Sequence, residues 1–245
     1  MRNFALTLCY DGTRYDGWQK QGNTDNTLQG RLETLLSRLL GQNIELAGSG
    51  RTDAGVHAYR QVCSFRADTD EECEALLREI RRRLPEDIGA ISLEEADGRF
   101  HARLSCTGKT YVYRIWNSEE PNVFERKWTW RRPGTLDIEE MQKAADALTG
   151  EHDFTSFCGN RHMKKSAVRE LRSISVMREG EEVRITLKGN GFLYHMARII
   201  VGTLVEVGEG KWSSGEMEDI LSSRDRTKAG PTAPAQGLIL WSVEY

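Results

Sequence analysis

The sequence predicts a mixed α+β fold made of two ferredoxin-like halves, each with an antiparallel sheet backed by helices. Strand-like and helix-like segments follow one another in the order β-α-β-β-α-β, and the second half of the chain reads in the same way. No linker rich in proline, glycine and serine divides the 245 residues. We therefore expect halves at 1–105 and 106–245 to join into one body, with an active-site cleft between them.

The first half is predicted from alternating apolar residues and from leucines at helical spacing. Its expected elements are strands at 4–10, 44–48, 59–65 and 88–93, and helices at 26–40 and 69–84. Asn26 with Gln29 resembles a capping box that opens the first helix, and Gly41 ends it. Thr69 with Glu72 is expected to open the second helix in the same way.

The second half follows the same pattern with one addition. Its expected elements are a strand at 110–116, a helix at 137–148, a hairpin over 171–188, helices at 192–207 and 214–221, and a last strand at 238–243. The hairpin is expected to turn at Glu179, Gly180 and Glu181, because glycine tolerates the backbone angles of tight turns. Residues 224–236, rich in Thr, Ala, Gly and Pro, predict an ordered but irregular connection.

Composition indicates a soluble cytoplasmic protein. The five cysteines are scattered and lack metal-ligand spacing, which disfavours a disulfide framework and a structural zinc site. Neither a signal peptide nor a membrane span is predicted from the apolar segments. The net charge of −3 and the pI near 6.0 do not by themselves indicate a nucleic-acid binder.

Three basic clusters change this picture locally. They are residues 78–83, residues 126–132 with Trp128 and Trp130 interleaved, and residues 161–165. Each one alone is best explained as a solvated face balanced by nearby carboxylates. Together they could line a groove for a polyanion.

Residues 48–58 read GSGRTDAGVHA and form the most informative segment of the chain. The glycines allow sharp turns and close approach by a partner. Asp53 in such a loop could simply make an Asx turn. Arg51 and His57 lie close in sequence, however, and a nearby guanidinium favours the ionised carboxylate that a nucleophile or base needs.

Other kinds of site receive less support from this segment. Asp53 and His57 could ligate a metal, but no further ligand cluster completes a coordination shell. The serine nucleophile motif GxSxG is absent, as are the glycine-rich phosphate motifs of nucleotide-binding proteins. The sequence therefore predicts a site without metal or nucleotide cofactor.

Four ordered motifs together resemble the TruA family of tRNA pseudouridine synthases. Besides residues 48–58, these are FHAR at 100–103, KTYVYR at 109–114 and GFLYHMAR at 191–198. The resemblance extends from YDGT at 10–13 and GWQ at 17–19 to the last strand. The sequence departs from the family pattern at Lys109, where arginine is common, and at Ala197, where valine is frequent; neither change removes a reacting group.

The resemblance implies isomerisation of uridine to pseudouridine at positions 38, 39 and 40 of the tRNA anticodon stem-loop, without a cofactor. It also implies a homodimer whose tRNA reaches across both subunits. The bond from ribose C1′ to N1 of the base is broken, and C1′ is rejoined to C5. The extrusion of the nucleotide from its stack is needed because the glycosidic bond is shielded inside the helix.

The resemblance also implies roles for four residues. Asp53 is the catalytic aspartate, either as a nucleophile at C1′ or as a base at C2′. Arg198 is the cation that balances the negative charge of Asp53, and Tyr111 stacks on the target base. Arg51 takes the place of the uridine in the base stack of the tRNA when the uridine turns out. Without the resemblance, Tyr111 reads as a core aromatic like Tyr113, Arg198 as a surface residue, and Arg51 as a partner of Asp53.

Two rival functions remain open at this stage. A catalytically silent RNA-binding protein on the same scaffold would use strand aromatics for stacking and would not need Asp53 beside Arg51. A metal-free hydrolase would act through Asp53 and His57. Release of the hydrogen at C5 of uridine distinguishes the isomerase from both.

Overall fold

Alternating strands and helices place the chain in the α+β class, as the sequence predicts. The computed structural model describes residues 1–160, 163 and 165–245. Their contacts divide the chain into two compact units, Met1–Thr107 with Ile239–Tyr245, and Gly108–Leu238. The last seven residues, which the sequence-based division assigns to the C-terminal half, thus lie with the first unit.

The first unit has the strand order of a ferredoxin-like fold. Its elements are β1 (Arg2–Tyr10), α1 (Leu28–Leu40), β2 (Ala47–Gly48), β3 (His57–Ala67), α2 (Cys73–Arg83) and β4 (Ile88–Glu95). β1 lies between β4 and β3 and is antiparallel to both, and β2 pairs antiparallel with β3. The resulting order β4-β1-β3-β2 leaves the long β2–β3 connection, which carries Asp53, at one end of the sheet.

The second unit is also a sheet with helices, and its four longer strands are antiparallel to their neighbours. Its elements are β5 (Gly108–Trp116), β6 (Trp130–Arg131), α3 (Ile138–Asp146), β7 (Gly150–Asp153), β8 (Val168–Glu179), β9 (Glu182–Gly189), α4 (Met196–Gly208) and α5 (Glu216–Ser223). The order is β5-β9-β8-β7, and α3 packs against β8 and α4. The predicted hairpin is confirmed, with Gly180 at φ 59° in the turn between β8 and β9.

The last strand, β10 (Leu238–Glu244), explains why the chain end lies with the first unit. It pairs in parallel with the start of β3, where Ile239 is opposite His57 and Leu240 is opposite Ala58. Further along β3, the same edge pairs with β2. Two short partners thus share one edge of β3, and the loop that carries Asp53 enters β3 beside β10.

All five helices begin later than the sequence predicts, and local contacts explain three of these displacements. The cap of α1 is Thr27, whose Oγ1 accepts from the Gly30 amide at 3.3 Å, whereas the Asn26 side chain donates to the Arg14 carbonyl. Thr69 accepts locally from the amide of residue 71, so α2 begins only at Cys73. α4 begins at Met196 because the preceding residue adopts a left-handed conformation.

Each unit has its own apolar core. In the first unit the alternating residues of β1 meet the inward faces of the helices; the fully buried side chains there include Phe4, Leu6, Leu8, Leu28, Leu32, Leu36 and Ile80. In the second unit they include Tyr113, Ile115, Phe154 and Phe157. Each such side chain contributes about 1.5–3 kcal/mol on burial, which holds the sheets rigid beneath their loops. Within the described residues, the helices all lack the length and apolar character of a membrane span.

Candidate active site

The backbone on both sides of Asp53 is fixed by hydrogen bonds. The preceding residue, Thr52, is buried; its hydroxyl lies 2.8 Å from the Tyr10 hydroxyl, and its carbonyl accepts from the Trp18 amide at 3.0 Å. After Asp53 the chain turns, and the Val56 amide donates to the Asp53 carbonyl at 3.1 Å. The aspartate side chain itself is partly exposed. The loop therefore presents a carboxylate from a rigid support, which is what a reacting group requires.

Two glycines let the neighbouring segment approach this loop closely. A Cβ on Gly12 would lie 2.0 Å from the carbonyl oxygen of Val56. A Cβ on Gly17 would lie 2.8 Å from the carbonyl oxygen of Thr52, and Gly17 has a φ of +92°, which side chains rarely adopt. These positions explain the glycines of the YDGT and GWQ motifs, because each glycine packs directly against the backbone that carries Asp53.

A buried polar network holds the start of the loop. The Ser49 hydroxyl donates to Oε1 of Gln61 at 2.5 Å, and Nε2 of Gln61 donates to the Gly50 carbonyl at 3.0 Å. Ser49 and Gln61 are almost completely buried. Breaking such a network leaves buried polar atoms without partners. Sequence reasoning missed the role of both residues, because β3 reads HAYRQVCSFRA and nothing in this mixed strand sets Gln61 apart.

Arg51 lies on the exposed side of the loop, two residues before Asp53. Partial burial lowers the pKa of its guanidinium, and the positive charge of Arg103 lowers it further. Arg103 follows a tight turn in which Nδ1 of His101 accepts from the Arg103 amide at 3.1 Å. Two arginines of separate motifs thus lie near one another beside the loop, which makes this part of the unit attractive to an anion.

His57 is a buried residue with a structural role in the loop region. Its side chain is almost fully buried at the start of β3, and Nδ1 lies 3.0 Å from the Gly12 amide and 3.1 Å from Oδ1 of Asp11. The Gly12 amide is a donor, so this contact suits the tautomer whose Nδ1 carries no hydrogen, whereas an Nδ1–H would donate to Oδ1 of Asp11. Among the described residues there is no group of three or more histidines, cysteines and carboxylates that could hold a metal ion.

The aromatic residues of β5 are packed in the second unit. Tyr111 is 7% exposed, and its ring meets Phe192 edge to face at 4.9 Å between centroids. Tyr113 is fully buried and donates to the Pro234 carbonyl at 2.8 Å. Burial raises the pKa of the Tyr113 hydroxyl well above its ordinary value, although the positive charge of Arg198 partly opposes this. Tyr113 is therefore a neutral hydrogen-bond donor in the core.

Arg198 lies in the first turn of α4 and is held by the irregular segment that follows α5. Its Nε donates to the Ala233 carbonyl at 2.7 Å, and the Ala233 amide donates back to the Arg198 carbonyl at 3.0 Å. The segment packs so closely on α4 that a Cβ on Gly202 would lie 1.8 Å from the carbonyl oxygen of Pro231. Arg198 is thus a partly buried, oriented cation and not a loose surface residue.

The residue that precedes α4 is strained. His195 has a φ of 61°, and its ring stacks on Tyr194 at 3.7 Å between centroids. A non-glycine residue in this conformation costs about 1 kcal/mol or more and is found where the surroundings fix it. Gly159 lies close enough that a Cβ there would be 3.0 Å from the His195 ring. The left-handed residue His195 ends the loop part of the motif over 191–198, and α4 begins at the next residue, Met196.

The basic clusters are largely engaged by their own neighbours. On α2, Arg82 and Arg83 pair with Glu79, and Arg81 donates to the carbonyls of β4. Around β6, Arg132 pairs with Glu209 and lies over the Trp130 ring. In the third cluster, residues 161, 162 and 164 lie outside the described part of the chain.

The structure thus distributes the four predicted site residues over both units. Asp53 and Arg51 share one rigid loop of the first unit, whereas Tyr111 and Arg198 are anchored in the second unit. All four occupy fixed backbone positions, and the two arginines bring positive charge. Within the first unit, a held carboxylate in the same loop as the guanidinium of Arg51 suits chemistry at a sugar carbon in an anionic substrate.

Comparison with known proteins gives a consistent answer. A sequence model of tRNA pseudouridine synthases matches residues 8–104 and 144–245. The chain is 44% identical to "tRNA pseudouridine synthase A 2" of Bacillus cereus (strain ZK / E33L) over 245 residues, which is 100% of both chains. It is also 44% identical to "tRNA pseudouridine synthase A" of Brevibacillus brevis and 43% identical to that of Acetivibrio thermocellus, again over 100% of both chains. This chain therefore belongs to the tRNA pseudouridine synthase family of isomerases.

Proposed function

We propose that this enzyme isomerises uridine to pseudouridine at positions 38, 39 and 40 in the anticodon stem-loop of tRNA. In this reaction the bond from C1′ to N1 breaks, the base turns over, and C1′ bonds to C5. The hydrogen of C5 is then lost as a proton, and N1 gains one, so atoms and electrons balance without an oxidant. The four motifs of the TruA family, which extend over most of the chain, support this choice of positions.

The observation that carries the proposal is the rigid support of Asp53. Cleavage of the glycosidic bond develops positive charge at C1′, and a carboxylate at that carbon stabilises the charge. The same carboxylate can bond to C1′ or remove the proton at C2′. Either step needs a carboxylate held within a few tenths of an ångström, because misplacement by 1 Å can cost about 100-fold in rate. The contacts of Thr52, Gly12 and Gly17 supply such support.

We assign the three further residues to substrate binding. Arg51 occupies the stack of the tRNA after the target uridine has turned out, and its exposure in the Asp53 loop supports this role. Tyr111 stacks on the uridine; its ring is already fixed by Phe192, so binding costs little side-chain entropy. Arg198, oriented through Ala233, is the counter-charge of the catalytic carboxylate.

Two further features belong to the proposal. The enzyme acts as a homodimer with the tRNA reaching across both subunits, as the resemblance to the TruA family implies. It acts in the cytoplasm without a metal or organic cofactor, since neither step of the isomerisation requires one.

The test is release of tritium from tRNA that carries 5-tritiated uridine, because isomerisation expels the hydrogen of C5. Asp53→Asn keeps the shape of the side chain but removes its charge, and we expect a loss of at least about 1000-fold in single-turnover rate. Asp70→Asn is the matched control, since Asp70 is an exposed aspartate of the same unit. Release by Asp53→Asn at the rate of the control would contradict the proposal, and binding without any release by the unmodified enzyme would favour the silent RNA-binding protein.

A further inference from the structure

A large open groove lies in the first unit, apart from the four residues already assigned. It has a volume of about 1300 Å³, above the roughly 300–1000 Å³ of common small-molecule pockets. Its walls come from the segment that precedes α1, from the outer face of α1, and from the end of α2. A groove of this size and openness suits an extended chain better than a compact ligand.

The lining of this groove is rich in cations. It includes Arg14, Lys20, Arg31, Arg38 and Arg83, against the carboxylates Asp25 and Asp87. The polar side chains of Gln21, Thr24, Asn26 and Thr34 also line it. Such amide and hydroxyl groups, together with arginine, are the groups that bind phosphates and riboses in nucleic-acid complexes.

Ion pairs divide these cations into two classes. Lys20 pairs with Glu33 at 3.0 Å, Arg14 lies 3.8 Å from Asp87, and Arg83 pairs with Glu79. Arg31 and Arg38 have no ion pair among the described residues, and both are exposed. Their charge is therefore available to an anion in the groove.

Arg31 and Arg38 also have a spacing that suits a polyanion. They are seven residues apart on α1, so they lie on the same face of the helix, about 10 Å apart along its axis. This distance corresponds to a few phosphate steps of a nucleic-acid strand. Thr34 lies between them and is exposed to the same groove.

The groove lies next to the segment around Trp18 that holds the Asp53 loop. Lys20 and Gln21, which line it, directly follow the segment whose Trp18 amide donates to the Thr52 carbonyl. The Gln29 amide in turn donates to the Trp18 carbonyl at 2.9 Å, which joins this segment to α1. A polyanion in the groove would thus lie one segment of chain away from the catalytic loop.

We propose that this groove binds the sugar-phosphate backbone of the tRNA, in a part of the molecule away from the nucleotide that reacts at Asp53. Arg31 and Arg38 contact phosphates, and the polar side chains of the walls contact riboses and phosphates. The inference rests on the proposed function, since it names a second contact surface for the same substrate. An acidic protein segment and a second copy of this chain are the other possible occupants.

The test compares two double variants of equal charge change. Arg31→Gln with Arg38→Gln removes both available charges of the groove. Arg78→Gln with Arg82→Gln removes two exposed charges from α2, whose partners are Glu74 and Glu79. For the groove variant we expect the Kd of full-length tRNA in filter binding to rise roughly tenfold at 0.1 M salt, and the slope of log Kd against log salt to fall by about 1.5–2. The α2 variant should change both values little.

A variant that adds a positive charge distinguishes an effect on tRNA binding from an effect of misfolding. Thr34→Lys adds a cation between Arg31 and Arg38, and we expect it to tighten tRNA binding and to steepen the salt dependence by about 1. An unchanged Kd in both groove variants, or equal changes in the groove and α2 variants, would overturn the proposal. So would a change of oligomeric state in sedimentation with unchanged tRNA affinity, which would assign the groove to contact between copies.

The groove and the isomerase proposal can fail separately. Loss of tRNA affinity in the groove variant would stand even if Asp53→Asn retained its activity. Conversely, suppose that tritium release depends on Asp53 but the groove variant binds tRNA normally. This result would contradict only the proposal that the groove binds tRNA.

Discussion

The Asp53 loop and the Arg198 helix start differ in where their support comes from. The loop is held from two sides, by the network of Ser49 and Gln61 and by residues 10–18, of which Tyr10 lies 42 positions before Thr52. Arg198 is held by Ala233, 35 positions later, and by the core that Tyr113 shares with Pro234. The loop is therefore anchored on regular strands of its own unit, since Tyr10 belongs to β1 and Gln61 to β3, whereas the arginine depends on an irregular segment of the second unit.

The largest expected effect concerns the support of Arg198. In Gly202→Ala the new Cβ meets the Pro231 carbonyl, so the segment that carries Ala233 must move. We expect a loss of about 3 kcal/mol in the free energy of unfolding in urea, despite the better helix propensity of alanine. Gly215→Ala is the control, since its Cβ meets nothing within 4 Å. Equal stability of both variants would show that the segment yields freely and does not hold Arg198.

The next effect concerns the support of Asp53. Gly17→Ala forces a side chain into a left-handed conformation and against the Thr52 carbonyl. We expect about 2 kcal/mol of destabilisation and a fall of roughly 100-fold in single-turnover rate, because the loop moves. Gly22→Ala, in the same segment but with open space around it, should leave both unchanged. A normal rate for Gly17→Ala would mean that the loop is not held from this side.

The smallest effect concerns the hydrogen bond from Tyr113 to Pro234. Tyr113→Phe should cost about 1 kcal/mol near pH 7, because the Pro234 carbonyl loses a buried donor. Since burial raises the pKa of Tyr113 in the folded protein, its contribution is complete below the unfolded value of about 10 and is lost as pH rises above it. Urea unfolding at pH 8 and pH 11 should therefore show a steeper loss of stability for the unmodified enzyme than for Tyr113→Phe. Parallel losses would contradict the assigned burial of this hydroxyl.

Periodic segments were predictable from the sequence, and their ends were less so. The leucines of α1 and the alternation of β1 indicate their elements because the core requires those spacings. The starts of α1, α2 and α4 were displaced, since local hydrogen bonds of Asn26 and Thr69 and the left-handed His195 compete with the helix. Ile239 and Leu240 of the last strand pair in parallel with β3, which no local signal indicates.

The sequence by itself determined the family, and it led to the proposal of Asp53 as the reactive group, because Asp53 lies among glycines with Arg51 two residues before it. Tertiary structure decided which contacts hold Asp53 and Arg198 in place. These are the hydrogen bond from Gln61 to the Gly50 carbonyl, the packing of Gly17 on the Thr52 carbonyl, and the hydrogen bond from Arg198 to the Ala233 carbonyl. Such contacts join residues whose types are ordinary and whose distances along the chain vary. They arise only when packing brings the segments together, and so no spacing in the sequence can reveal them.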